Sequence, residues 1–463
     1  MFFKGKNVTV VGLARSGAGA ARLLARHGAI VTVNDKRPAD ALAASIAMLP
    51  EGVRLVSGGH PDEAFHDAEL VVISPGVPSN IEPLEKCRSR GVPVIGELEL
   101  GFRFMNAPFA AITGTNGKST VTTLLGLMMG AAGIHAFVGG NIGLSVCEAA
   151  ADVEAGAMPR PDWVVAEVSS FQLETTDEFR PKIAAILNIT PDHLDRYDSP
   201  DDYAKAKARI FERQSGGDVL VLNADDAPTA ELAATAPSRV ALFSRTSEVS
   251  NGVFLRDGML CYSLDVAPYA GAWTETSGSI LPAEDIKIRG VHNLENAAAA
   301  SCMALLAGVR AEVIASVLRE FPGLEHRLEH VAEIGGVTYI NDSKGTNVGA
   351  VEKSLASFDR PVVLIAGGRD KASDFTALAP IARKHARAVV LIGEAAGKLE
   401  NALAGTVPMI RAGSMADAVR KSRDAAKPGD TVLLSPACAS FDMFRDFEDR
   451  GRVFKREVEK LRE

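Results

Sequence analysis

The heptapeptide Gly114-Thr115-Asn116-Gly117-Lys118-Ser119-Thr120 follows the apolar run Phe109 to Ile112 and precedes an alanine- and leucine-rich stretch. Strand, glycine loop and helix start, in that order, make a cradle for phosphate. Successive backbone N–H groups and the helix N-terminus face the anion, Lys118 reaches the outer phosphates, and Ser119 offers a hydroxyl to Mg²⁺. The eight-residue form of this loop would carry glycine at position 112, where the chain has Ile112. The shortened form is less specific as a pattern, so its context decides. An ordinary glycine turn would not explain why Lys and Ser stand together at a helix start. The expected ligand is ATP or GTP.

Behind this loop lie further groups that could do chemistry. Glu167 ends the apolar run Val164-Val165-Ala166 and precedes Ser169-Ser170-Phe171-Gln172. A carboxylate at a strand end beside a phosphate-loop strand is well placed to hold a nucleotide's Mg²⁺. His193 sits between Asp192 and Asp195 after another such run, a pattern compatible with a packed histidine and equally with a metal ligand. Lys205 and Lys207, in Tyr203-Ala204-Lys205-Ala206-Lys207-Ala208-Arg209, read by themselves as a solvated helix face.

Near the N-terminus, Gly12-Leu13-Ala14-Arg15-Ser16-Gly17 follows the first apolar run and opens a helix, with Asp35 twenty-three residues after Gly12. This is close to the dinucleotide fingerprint, but Ala14 replaces the glycine that lets a pyrophosphate approach the backbone. The fold implication survives and the NAD implication weakens. A purely structural Rossmann-like domain stays open, and a diphosphate ligand that is not a dinucleotide fits better.

The elements that must position these residues repeat one theme. Val8 to Val11, Ile30 to Val33, Leu70 to Ile73, Ile183 to Leu187, Val337 to Ile340, Val362 to Ile365 and Val432 to Leu434 each end in small or polar residues. Fully apolar runs read as strands of parallel sheets buried on both faces, and open α/β sheets bind ligands at the carboxyl ends of their strands. Ala18 to Arg26 and Thr120 to Ala132 read as helices closed by Gly28 and Gly133. Asp257-Gly258 between β-rich arms reads as a hairpin in a mixed middle domain, and Ala149 to Pro161 reads as a surface loop. The expectation is an α/β protein of three domains: a Rossmann-like domain over 1–97, a P-loop ATP-binding domain over 98–323, and a Rossmann-like domain over 324–463.

Composition narrows the class. With 463 residues and a net charge of −8, the chain is long enough for several cores and lacks the basic balance of a nucleic-acid-binding surface. Five scattered cysteines with no C-x-x-C pair indicate neither a zinc site nor a disulfide framework. The start, Met1-Phe2-Phe3-Lys4, is too short an apolar stretch for a signal peptide, and no uncharged apolar run is long enough to span a bilayer. A reduced, cytoplasmic protein without membrane insertion is expected; the oligomeric state is not legible.

Further motifs complete a series. Gly139-Gly140-Asn141-Ile142-Gly143 and Glu167 to Glu174 precede Asp192-His193-Leu194-Asp195-Arg196-Tyr197. Gly290 to Asn296, His326-Arg327, Asn341-Asp342-Ser343-Lys344-Gly345-Thr346-Asn347, and Ser435 to Asp442 followed by Phe447 come after. Over nearly the whole chain, and in this order, the series resembles the Mur ligases. The middle motifs are shared with folylpolyglutamate synthetases, whereas the Asn-Asp-Ser-Lys-x-Thr-Asn and Ser-Pro-Ala-x-x-Ser runs resemble the branch that adds D-glutamate. The resemblance counts against an L-alanine-adding ligase, an NAD oxidoreductase and a catalytically silent nucleotide-binding protein.

The resemblance implies ATP-dependent, ADP-forming amide ligation in peptidoglycan precursor synthesis, with UDP-N-acetylmuramoyl-L-alanine and D-glutamate as substrates and an acyl phosphate between them. It implies that Gly114, Thr115, Asn116, Gly117, Lys118, Ser119 and Thr120 hold ATP, with Asn296 and Asp342 at the adenosine and Arg327 at the γ-phosphate on domain closure. Two Mg²⁺ ions are implied, with Ser119, Glu167, His193 and a carbamylated Lys207 as ligands; Lys205 keeps its reading as a solvated lysine. Ser16, Asp35, Arg37 and Asn141 would meet the UDP-linked substrate, and Lys344, Thr346, Lys371, Ser440, Phe441 and Phe447 the D-glutamate.

Overall fold

The computed structural model describes residues 3–192, 196–197, 199–265, 276–288, 290–370 and 373–462. His193 and Lys371 therefore lie outside the described residues. Among those described, the strands form three sheets. The first runs Arg54–Ser57, Ile30–Asp35, Asn7–Val11, Leu70–Ile73, Val94–Gly96, all parallel. Its order reverses beside Asn7–Val11, the switch point where such sheets take ligands.

The second sheet runs Ser277–Pro282, Met259–Ser263, Gly252–Arg256, Arg239–Ser244, Val219–Asn223, Ile183–Ile186, Phe109–Thr113, Trp163–Glu167, Ala136–Gly140. Its last six strands are parallel, Gly252–Arg256 joins them parallel to Arg239–Ser244, and Gly252–Arg256, Met259–Ser263 and Ser277–Pro282 pair antiparallel with one another in turn. Asp257 and Gly258 turn the hairpin with φ of 50° and 75°, the doubly left-handed turn that matches strand twist.

The third sheet runs Glu329–Ile334, Val337–Asn341, Thr431–Leu434, Val362–Gly367, Ala386–Ile392, Met409–Arg411. Only Glu329–Ile334 is antiparallel to its neighbour. The apolar run beginning at Val362 shows why both faces need to be hydrophobic. Val362, Leu364 and Ala366 pack with Leu355, Leu378 and Leu399, while Val363 and Ile365 face Val419, Phe454 and Val458.

The helices Arg15–Arg26 and Lys118–Ala131 begin two to three residues before the positions expected, because each starts directly out of its glycine loop. Both close as expected on left-handed glycines, Gly28 at 76° and Gly133 at 78°, with Ala29 N–H returning to Leu24 O and Ile134 N–H to Met129 O. The segment Ala149 to Pro161 is not a loop throughout. Helix Val146–Glu154 covers its first half, nucleated by a capping box in which Ser145 and Glu148 satisfy each other's backbone N–H groups. The alanines that read as loop filler are its buried face.

By their contacts the residues form two compact units, one of Met1–Ile189, Tyr203–Pro282 and Ala297–Val317, the other of Thr190–Asp202, Ala283–Asn296 and Leu318–Glu463. Within the first unit the helix Glu97–Phe104 ties the first sheet to the second. Glu99 on it is fully buried and accepts the N–H groups of Asp177, Glu178 and Phe179 at 2.9–3.1 Å while pairing with Arg103 at 2.7 Å. Glu97, also buried, accepts from Gln172 Nε2 at 3.1 Å through Oε1, and its Oε2 has no partner. Burial pushes the Glu97 carboxyl up to about 7.

This has a measurable consequence. The folded chain keeps the Glu97 proton up to about 7, whereas an ordinary glutamate gives it up near 4.5. The unfolded chain binds fewer protons between those values, so this contribution to stability falls as pH rises through the window. In urea titrations, Glu97→Gln should gain stability relative to the parent between pH 4.5 and 7; a difference that does not change with pH would refute this.

Candidate active site

The phosphate loop leaves the strand Phe109–Thr113, which lies between Trp163–Glu167 and Ile183–Ile186 with Ile112 opposite Glu167 and Thr113 opposite Ile186. Parallel register thus brings the loop, Glu167 and the residues after Ile186 to the same edge. Gly114 and Gly117 have φ of 149° and 90°, and a Cβ on Gly114 would stand 3.0 Å from the Leu187 Cβ. Asn188 holds the loop's shape: its backbone oxygen accepts Thr115 N–H at 2.9 Å, its Oδ1 accepts Asn116 N–H at 2.8 Å, and its Nδ2 donates to Asn116 O at 3.1 Å. Lys118 Nζ donates to Gly114 O and Thr115 O at 2.7 and 2.9 Å, and Ser119 and Thr120 are buried at the helix start.

Glu167 is 2% exposed. Its Oε1 accepts from Asn141 Nδ2 at 2.8 Å, Asn141 N–H donates to its backbone oxygen at 2.9 Å, and its Oε2 is buried without a partner. A buried carboxylate oxygen left over at the edge that carries Ser119 is the donor type Mg²⁺ prefers, and the residues present fit that ion. Asn141, expected at the UDP-linked substrate, here orients Glu167.

On helix Pro200–Ala208 the two lysines separate cleanly: Lys205 is exposed and Lys207 is 1% exposed. Lys207 Nζ donates to Gly114 O at 3.0 Å and lies 4.3 Å from the centre of the Tyr203 ring, whose hydroxyl reaches Thr115 Oγ1 at 3.3 Å. The phosphate loop is therefore braced from a second side by this helix.

In the first sheet, Asp35 and Arg37 form one structure with the Gly12–Gly17 loop. Asp35 Oδ2 accepts Leu13 N–H at 2.7 Å and Arg37 Nη2 at 2.8 Å; Oδ1 accepts the Arg37 backbone N–H at 2.9 Å; and Arg37 Nη2 donates to Leu13 O at 3.1 Å. Burial alone would raise the Asp35 carboxyl, but the Arg37 guanidinium and these N–H groups overcome it and hold it at about 2. Gly17 packs against Gly12, where a Cβ would meet the Gly12 oxygen at 1.9 Å. Helix Arg15–Arg26 starts without a side-chain cap, with Ser16 half-buried in its first turn. An uncapped helix start after a glycine turn is suited to a diphosphate.

The second unit gathers the other predicted residues. His326 and Leu328 adopt left-handed φ of 64° and 43° on either side of Arg327, a conformation costly for residues with a Cβ and held by surrounding bonds. His326 N–H reaches Glu329 Oε2 at 2.9 Å, and Lys344 N–H returns to His326 O at 3.0 Å. Asp342 is 4% exposed and accepts the hydroxyls of Ser354 and Ser435, each at 2.7 Å; burial pushes its carboxyl up despite those bonds. Asn296 is buried and donates to Asn293 Oδ1 at 3.2 Å. Lys344 lies 5.3 Å from the Phe447 ring centre, Thr346 N–H reaches Lys344 O, Ser440 is buried and Phe441 is 63% exposed. Backbone bonds from Ala437 N–H to Gly345 O and Gly367 N–H to Pro436 O join the loops that carry them. Glu325, His326 and Glu329 cluster as metal ligands do, but Lys455 occupies both carboxylates at 2.7 and 2.8 Å.

Models of one protein family match most of the chain. Residues 6–96 match the Mur ligase MurD-like N-terminal domain, 112–304 the Mur ligase middle domain, and 326–438 the Mur ligase glutamate ligase domain. The UDP-N-acetylmuramoylalanine–D-glutamate ligase of Acidobacterium capsulatum is 48% identical over 98% of this chain and 96% of its own length. The chain belongs to the Mur ligase family. The enzyme of the same name from Koribacter versatilis is 44% identical over 100% of this chain and 99% of its own length. The fold of this Mur ligase is also that of the MurF ligase from Thermotoga maritima in complex with ADP, with a TM-score of 0.61 at 13% identity over 99% and 96% of the two chains.

Sequence reasoning missed three residues that shape this Mur ligase. Asn188 was visible as a polar residue ending an apolar run, but its grip on the loop depends on which strand lies next to which. Tyr203 carried no signal beyond its neighbourhood. Arg450 is one basic residue in a strongly charged helix, yet it is fully buried. Asn188→Ala should leave the fold intact and weaken nucleotide binding about tenfold, since it strands the Asn116 N–H at a cost of about 1–3 kcal/mol. Titration with a fluorescent ATP analogue tests this, and unchanged affinity would contradict it.

Proposed function

We propose that this chain is the ligase that joins D-glutamate to UDP-N-acetylmuramoyl-L-alanine, with ATP cleaved to ADP and phosphate, in peptidoglycan precursor synthesis. What carries the reading is identity of 44–48% running end to end with relatives of that name. The site chemistry supports it.

A carboxylate approaching a triphosphate meets repulsion of about 4 kcal/mol for each pair of unit charges near 4 Å at an effective dielectric near 20. Lys118, the loop N–H groups and the start of helix Lys118–Ala131 offset it. The alanyl carboxylate attacks the γ-phosphorus, the bond to ADP breaks, and an acyl phosphate forms. The neutral D-glutamate amine then attacks the acyl carbon, the acyl C–O bond breaks with its electron pair going to the departing phosphate, and the nitrogen gives up its proton to phosphate or solvent. Ser119 and Glu167 would hold Mg²⁺, which supplies charge neutralisation on the phosphates; His193 and a carbamylated Lys207 are assigned to a second ion.

Asn296 and Asp342 are assigned to the adenosine, Arg327 to the γ-phosphate, and Ser16, Asp35, Arg37 and Asn141 to the UDP-linked substrate. D-glutamate is assigned to Lys344, Thr346, Lys371, Ser440, Phe441 and Phe447. Residues 97 and 323 are proposed as domain limits. Carbamylation adds CO₂ to a lysine amine and gives it a carboxylate; Lys207, 1% exposed with Nζ on Gly114 O, would carry that group at the phosphate loop.

Phosphate release from ATP should require both UDP-N-acetylmuramoyl-L-alanine and D-glutamate, with L-glutamate inactive and the ligated product confirmed by mass. Release with another amino acid only would keep the chemistry and move the substrate. A crystal structure with nucleotide and Mg²⁺ should show a planar three-atom extension on Lys207 Nζ; a bare ammonium there would remove it from the metal site.

A further inference from the structure

Arg450 is 0% exposed, and its three hydrogen bonds all end on neutral oxygens: Nε to Ser343 Oγ at 2.9 Å, Nη2 to Ser343 O at 2.8 Å and Nη1 to Cys438 O at 3.1 Å. Among the described residues no carboxylate forms an ion pair with it. Burial lowers its pKa only to about 10, so the guanidinium is charged at neutral pH. A buried charge is expensive to hold, and Asp342 and Asp442 favour this one through their fields without forming an ion pair with it.

The position of this cation shows what it holds together. Ser343 precedes Lys344, and its hydroxyl, while accepting from Arg450, donates to Phe447 O at 2.8 Å. Cys438 lies two residues before Ser440. The guanidinium therefore braces, from behind, the two loops and the helix start that carry Lys344, Phe447 and Ser440. A Cβ on Gly368 would stand 3.3 Å from its Nη1, so the loop after Val362–Gly367 also closes on it.

We propose that Arg450 is a positioning and specificity residue: it fixes the amino-acid pocket from beneath, and its charge favours a dicarboxylate, D-glutamate, in that pocket. The proposal rests on the reading of D-glutamate as the substrate of this pocket. Arg450 does not touch the substrate; it acts through Ser343 and Cys438 and through its field, which a low-dielectric interior screens weakly. The titratable groups facing it are Cys438 and Asp442 on one loop and Asp342 on the other, with His326 packed on the adjacent Gly451.

The test uses the full-length enzyme with ATP and UDP-N-acetylmuramoyl-L-alanine, measuring KM for D-glutamate and for ATP from pH 6.5 to 9.5. Arg450→Gln should raise KM for D-glutamate by about 20-fold or more, as expected for loss of a desolvated charge, with KM for ATP changed less than about threefold. Arg450→Lys should stay close to the parent at low pH. As its buried ammonium loses its proton, its KM for D-glutamate should climb relative to the parent. If Arg450→Gln does not melt cooperatively, the pH profile of Arg450→Lys decides alone. A profile parallel to the parent, or an Arg450→Gln KM for D-glutamate equal to the parent's, would overturn the proposal. A parent enzyme that does not use D-glutamate at all would overturn the substrate reading instead, and this inference with it.

Discussion

A loop that must turn its N–H groups toward phosphate cannot spend all of them on holding its own shape. The shape has to come from neighbouring structure. In this protein Asn188, on the next parallel strand end, takes two of the loop's N–H groups and one carbonyl. Lys207 and Tyr203 brace the loop from the following helix. Helix Lys118–Ala131 begins directly out of the loop without a side-chain cap, and a helix start favours an anion. The site therefore depends on the register of three strands, because a slip of one residue would move Asn188 and Glu167 away from the loop together.

The same division of labour recurs away from the phosphate loop. Asp35 and Arg37 spend their hydrogen bonds on each other and on Leu13, which fixes the Gly12–Gly17 turn and leaves the helix start after it uncapped. Asp342 is absorbed by Ser354 and Ser435, and Arg450 by Ser343 and Cys438. These groups are buried and polar, and each joins segments far apart in sequence. Full satisfaction gives such a network a single geometry, whereas a buried group left with spare capacity points to a ligand. Glu167 is of the second kind, with a spare oxygen.

Glu97 and Glu99 show how one short helix joins two sheets. Glu99 gathers three consecutive N–H groups of the segment Asp177 to Phe179. Glu97, two residues earlier, accepts from the Gln172 amide, and burial pushes its carboxyl up to about 7. Position on the helix decides the partners, since Glu99 faces the N–H groups of a bend and Glu97 a packed interior.

The sequence by itself determined the α/β class, the order of the motifs and the chemistry of the phosphate loop. Those properties are local: apolar runs of strand length, glycines where the backbone must turn left-handed, and Lys-Ser at a helix start. Lys205 and Lys207 mark the limit of local reading, since only burial in the folded chain separates an exposed cation from one set against Gly114 O. The capping box at Ser145 was present in the sequence, but alanine-rich composition obscured it. Asn188, Glu97 and Arg450 could not be found that way, because their roles rest on partners tens to more than a hundred residues distant. Burial and long-range hydrogen bonding are properties of the tertiary structure, and they decided which polar residues hold the site and which are left for its ligands.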